Sequence, residues 1–335
     1  RPGRSRAGTT CGQYTGHPLF CGLRVAREIP RLSMTPTPDE APVPGLDPVA
    51  AQRWLVRRHA ASPWLHEEVA GRMIERLQWF RDPPDSWLHW EPVIGGLDAH
   101  RRLTQSLPQA RSQVWLADRS ALARLGGQAP RRGLGLLPWR RQADGVTLAD
   151  GETTATLLWA NMVLHHIARP QTLLRQWHRH VETGGFLMFS CLGPDSLGEL
   201  RAVYAREGWP SPTHDYTDMH DWGDMLVHGG FAEPVMDMER IALTFSSASA
   251  LLEELRGLGR NLSSARFPGM RGRGWRQRLE QSIEQHGARA EDGRLRLTFE
   301  IIYGHAFKSE PRRPRGDSQS VSVDDMRAML RGRKP

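Results

Sequence analysis

Lysine is nearly missing from this chain. Of 45 lysine and arginine residues, only Lys308 and Lys334 are lysine, a bias read here as the mark of a GC-rich genome. Cysteine is scarce as well: Cys11, Cys21 and Cys191 are the only three. One of them lies in the central part of the sequence, so neither a disulfide framework nor a zinc-ligand spacing can be written, and the chain suits a reducing cytosol. Long apolar runs are absent. The best stretches, 157–164 and 186–192, are strand-sized and fall well short of the roughly 18 residues a membrane helix needs. What is present is ordinary globular composition, with 39% hydrophobic and 24% charged residues, which excludes a wholly disordered chain.

The formal net charge of +8 suggests nucleic acid until it is located. Residues 1–33 hold six arginines against one glutamate, and residues 309–335 hold six arginines and one lysine against four acids. The stretch between them is neutral overall, so the core carries no electrostatic footprint for nucleic acid. Residues 1–33 show no helical or strand periodicity, and Met34 opens a proline-rich stretch running to Pro48. Met34 is expected to be the natural start. An arginine-rich organelle-targeting segment is the rival reading. The expected organisation is an N-terminal extension over 1–45, one domain over 46–308, and a basic polar tail over 309–335.

From Pro48 to Trp79 apolar residues recur at three-and-four spacing, interrupted at Ser62-Pro63, which predicts helices. Strand-like and helix-like segments then alternate. Strands are predicted at 87–90, 114–117, 157–160 and 185–191, with helices near 97–107, 119–125 and 170–181. Beyond these come helices near 195–206, 218–228, 248–257 and 274–286, an apolar segment at 231–245, and a closing strand at 295–307. Regular alternation predicts an α/β fold with a mostly parallel sheet and helices on both faces.

In such sheets ligands bind beyond the carboxyl ends of the strands, where strand order reverses. The first strand runs into Glu91-Pro92-Val93-Ile94-Gly95-Gly96-Leu97. An acid followed by glycines at the entry to a helix is a nucleotide-binding arrangement. The second strand ends at Asp118, 27 residues after Glu91, where a carboxylate can accept both hydroxyls of a ribose. Taken alone, Asp118 is better explained as a solvated turn acid.

Three later segments, 148–151, 157–165 and 182–190, are similar to the corresponding parts of class I S-adenosylmethionine methyltransferases. More narrowly, 65–73, 193–200, 255–259 and 297–304 resemble the malonyl-acyl-carrier-protein O-methyltransferases of biotin synthesis and their sister group, the mitochondrial complex I assembly factors. The resemblance covers roughly 46–308. It implies a Rossmann-like class I fold with seven strands and an antiparallel final strand, S-adenosylmethionine as cofactor, and an acyl carrier protein as partner. It also implies a cytoplasmic monomer with no membrane or nucleic-acid role. By position, Glu91, Gly95, Gly96, Asp118, Asp144 and Asn161 would form the cofactor site, Asp144 reaching the adenine amino group. No catalytic side chain is implied, because a carboxylate nucleophile is already ionised at neutral pH.

The sequence also departs from the family pattern. Val93 and Leu97 stand where glycines are expected, Pro92 follows the acid, and Thr156 replaces an acid of the fourth strand. A fold that has kept its shape but acts as an assembly factor or modifies a partner protein is the alternative reading. His165, His166, His178 and His180 cluster in sequence without a carboxylate or cysteine to complete a metal-ligand spacing, and are expected to be ordinary histidines. Arg266, Arg271, Arg273, Arg276 and Arg278 fall within 13 residues. They read as a solvated basic face or as a docking patch for the acidic carrier.

Overall fold

The computed structural model describes residues 43–57, 61–125 and 146–310. Asp144, Met34 and most of both tails lie outside them. Seven strands form one sheet in the order β3-β2-β1-β4-β5-β7-β6. They are β1 (Ser86–Trp90), β2 (Arg111–Trp115), β3 (Thr147–Leu148), β4 (Ala155–Ala160), β5 (Val181–Leu192), β6 (Ala232–Phe245) and β7 (Leu295–Phe307). The first five are mutually parallel, while β7 runs antiparallel between β5 and β6. This is the Rossmann-like methyltransferase topology, and strand order reverses between β1 and β4.

The central strands are apolar on both faces, as parallel strands covered by helices must be. Along β4, Leu157 and Trp159 enter one core while Leu158 and Ala160 enter the other. The first core packs against α2 (Trp64–Leu77), α4 (Leu97–Ser106), α6 (Gly198–Arg206), α8 (Ala248–Leu258) and α9 (Arg273–His286). The second packs against α1 (Pro48–Leu55), α5 (Pro170–His180) and α7 (Met219–His228). Between β1 and α4 lies a four-residue helical turn, α3 (Pro92–Gly95).

Several boundaries differ from expectation for local reasons. Segment 119–125 is a 3-10 turn rather than an α-helix. Helix α6 starts at Gly198, because the preceding loop is tied to β7. There Asp195 donates its amide to Glu300 Oε2 at 2.7 Å, and the Ser196 hydroxyl donates to the Glu300 carbonyl at 3.0 Å. Thr156 sits near the start of β4, beside Ser86, and so at the opposite edge of the sheet from the ligand-binding side.

Candidate cofactor turn and an arginine-ringed cavity

Glu91 leaves β1 in a left-handed conformation, φ 53°. Its backbone amide still donates to Trp115 O, at 2.9 Å. Its carboxylate turns inward and accepts the Ala117 amide. The side chain is buried, so desolvation, helped by nearby Asp118 and opposed by the Ala117 amide, pushes its pKa up to about 8. Glu91 is therefore mainly protonated at neutral pH. Asp118 is half-buried and accepts the Ser120 amide at 3.0 Å, opening the 3-10 turn. Trp90 and Trp115 stack beside this site with ring centroids 4.7 Å apart.

Gly95 and Gly96 are both required by close approach. A Cβ on Gly95 would lie 2.9 Å from the Asn161 carbonyl oxygen. Gly96 has φ 136°, and its Cβ would lie 2.9 Å from that of Ala99. Asn161 is fully buried after β4. Its amide donates to the carbonyls of Gly95 and of His66, the latter at 2.8 Å, and its oxygen accepts the Ser190 hydroxyl at 2.6 Å. His66 in turn donates to the Ile94 carbonyl at 2.8 Å.

Sequence reading missed Ser62 and Glu67. The first amides of α4 have no partners within their own helix. Here Leu97 donates to Ser62 Oγ at 3.1 Å, Asp98 to Glu67 Oε1 at 3.1 Å, and Ala99 to Glu67 Oε2 at 2.8 Å. The Ser62 hydroxyl also donates to Glu67, which joins the two into one clasp. Glu67 lies within the 65–73 segment that carried the family resemblance, but nothing in its spacing tells that α2 will dock it on α4.

Among the described residues, two cavities border this edge of the sheet. The smaller, about 90 Å³, lies between α1 and the ends of β1 and β2, bounded by Ala51, Leu55, Glu91, Trp115, Ala117 and Val163. The larger, about 570 Å³, is enclosed by α6, α8, α9 and the ends of β5 and β7. Leu197, Leu200, Leu255, Leu279, Trp275 and Phe299 give it apolar walls, and Arg256, Arg260, Arg271, Arg273 and Arg276 ring it with positive charge. The Arg271 guanidinium sits over the Trp275 ring, 4.0 Å from its centroid. Arg276 pairs with Glu280 at 2.8 Å. Arg266 is turned elsewhere and bridges Asp47 at 2.7 Å. Arg278 does not line the cavity.

The four sequence-clustered histidines do not converge. His166 lines the larger cavity and packs on His165, whose Nδ1 accepts the Leu192 amide at 3.3 Å. Burial holds His165 well below the ordinary histidine range. His180 lies at the far end of α5 and donates to the Thr153 carbonyl at 2.6 Å. Among the described residues no three His, Cys, Asp or Glu side chains converge on a point that could hold a metal. No helix among them is long and apolar enough to cross a membrane.

A methyltransferase domain model matches residues 101–189. Over 270 residues the chain is 34% identical to the malonyl-[acyl-carrier protein] O-methyltransferase of Laribacter hongkongensis, covering 77% of this chain and 88% of that protein. Over 258 residues it is 33% identical to the enzyme of the same name from Gallionella capsiferriformans, covering 75% and 87%. The chain belongs to the malonyl-acyl-carrier-protein O-methyltransferase family. It is accordingly a methyltransferase, and S-adenosylmethionine is its cofactor.

As folded, the described residues of the cofactor turn have their binding groups engaged within the protein rather than open to that cofactor. Of the described residues assigned to the cofactor, Glu91 alone borders the cavity of about 90 Å³. The exposed amides that make a helix N-terminus an anion site already serve Ser62 and Glu67. The Asn161 amide is spent on two carbonyls.

Proposed function

We propose that this methyltransferase acts on a malonyl group carried by an acyl carrier protein, forming the methyl ester on the path to biotin. The observation that carries this reading is the 570 Å³ cavity, apolar inside and ringed by arginine. A malonyl group reaches an enzyme on a flexible arm that has a phosphate at its protein end. Guanidinium groups recognise phosphate by paired, charge-assisted hydrogen bonds, and planar stacking on an aromatic ring keeps such a group extended. Arg271 is held over Trp275 in this way, its guanidinium 4.0 Å from the ring centroid. Arg273 and Arg256, at the same mouth, add charge that attracts an acidic carrier. The leucine walls fit the less polar part of the arm. The malonyl carboxylate needs no base, so these residues bind, orient and exclude water. Tyr204 lines the cavity with its hydroxyl pushed by burial up to about 12, which keeps it neutral at working pH.

We further read the enzyme as a monomer that meets its carrier in the cytoplasm. We place the cofactor beside Glu91, Gly95, Gly96, Asp118 and Asn161 on the family pattern. The closed turn also favours a second reading, in which the carrier is bound but not methylated. The test is intact-mass spectrometry of malonyl-acyl carrier protein incubated with S-adenosylmethionine and the enzyme. Appearance of the methyl ester supports the first reading. Carrier that binds but stays unmodified, even with a variant shown to bind the cofactor, refutes it and leaves the second. Carrier that does not associate refutes both.

A further inference from the structure

The residues that engage the first amides of α4 come from α2 and the segment just before it, and Glu67 does so with the functional group a ligand would bring. Glu67 projects from α2 onto the first turn of α4, and its two carboxylate oxygens accept consecutive amides, Asp98 at 3.1 Å and Ala99 at 2.8 Å. Ser62 takes the amide before them, Leu97 at 3.1 Å, and bonds to Glu67. Three successive donors are therefore satisfied by a carboxylate and a hydroxyl supplied 30 and more residues upstream. The clasp is fixed on both sides. Arg102 of α4 donates back to the Glu67 carbonyl at 3.1 Å, and a Cβ on Gly96 would come within 3.1 Å of Glu67 Oε2. The cavity of about 90 Å³ at Glu91 is lined by none of these residues and lies on the α1 and α5 side of the sheet.

S-adenosylmethionine carries a single carboxylate, on its methionine end, with adenosine at the other. We propose that the Glu67 carboxylate is an internal competitor for the amino-acid carboxylate of S-adenosylmethionine, so that the Ser62–Glu67 clasp and the bound cofactor exclude one another. Glu67 is then a specificity and gating residue of this chain rather than a catalytic one. Cofactor binding requires α2 to give up its hold on α4, and every cofactor affinity includes that cost. The inference rests on the chain's membership of a methyltransferase family. It makes no use of the acyl carrier, whose docking on the arginine-ringed cavity succeeds or fails separately.

Calorimetric titration of the full chain tests it with two probes, S-adenosylhomocysteine and adenosine. In Glu67→Gln the neutral amide can accept one backbone donor but leaves the other open and brings no charge. S-adenosylhomocysteine should bind this variant at least about tenfold more tightly than wild type, since one hydrogen bond to a charged group corresponds to that factor or more. Adenosine has no carboxylate and should bind both proteins alike. Thermal melts establish that the variant is folded. Where it is not, Glu67→Asp, whose shorter carboxylate cannot span both amides, gives the same comparison. Equal affinity for S-adenosylhomocysteine in wild type and the folded variant overturns the proposal. So does an equal gain for adenosine, because that would mean the site had only loosened.

Discussion

Glu91 offers the clearest energetic test of how the cofactor turn is built. Its carboxyl is buried at the end of β1, and its pKa rises from the ordinary value of 4.5 to about 8. Between those two values the folded protein holds a proton that the unfolded chain has released. Stability must therefore fall as pH rises through this window, by about 1.4 kcal/mol per pH unit, and it levels off above about pH 8. At pH 7 the accumulated penalty is about 3 kcal/mol. Glu91→Gln removes the titration but keeps an oxygen to accept the Ala117 amide. The variant should be more stable than wild type by about 3 kcal/mol at pH 7, with the gap closing toward pH 4.5. Urea unfolding of both proteins at half-unit steps from pH 5 to 8 measures the gap. Buried histidines such as His89, His100 and His165 have lowered pKa values and give the opposite slope below pH 6.5, but they are common to both proteins and cancel in the difference. A gap that does not change with pH, or one that favours wild type at pH 7, would refute the reasoning.

Three further outcomes are expected. Asn161→Ala strands the carbonyls of Gly95 and His66 and the Ser190 hydroxyl inside the core, and should cost about 3 kcal/mol of stability in urea unfolding; a loss below about 0.5 kcal/mol would contradict a structural role. Replacing Arg271, Arg273 and Arg276 with glutamate should slow association with malonyl-acyl carrier protein, most at low salt, in stopped-flow measurements; rates unchanged across salt concentrations would remove the docking patch. In the Glu67→Gln background, Asp118→Ala should weaken S-adenosylhomocysteine binding about ten- to a hundredfold by calorimetry, and unchanged affinity would displace Asp118 from the ribose.

Most of the fold was legible because its elements are set by local periodicity. The closing strand occupies 295–307 as expected, and α5, α7 and α9 fall within about a residue of their predicted limits. Errors arose where a side chain overrides the pattern. The apolar run at 114–117 suggested a strand reaching Ala117. The Glu91 carboxylate takes the Ala117 amide instead, and β2 ends at Trp115. Glycines after β1 were legible as sites of close approach. What approaches them is the protein itself: Asn161 at Gly95, Ala99 and Glu67 at Gly96. The clasp was not legible, since it depends on how α2 lies across α4. Nor was the large cavity, which α6, α8 and α9 enclose together from segments far apart in sequence. The arginines at its mouth were visible as a cluster, but not the separation of Arg266, held by Asp47, from the others.

The most direct test of the closed cofactor turn is thermal unfolding of the full chain and of Glu67→Gln, each with and without S-adenosylhomocysteine. A ligand that binds only the folded state raises the unfolding midpoint by an amount that grows with the logarithm of one plus the ratio of its concentration to its Kd. The predicted result is a clear rise for Glu67→Gln and a much smaller one for wild type at the same ligand concentration. Equal shifts in the two proteins would contradict it.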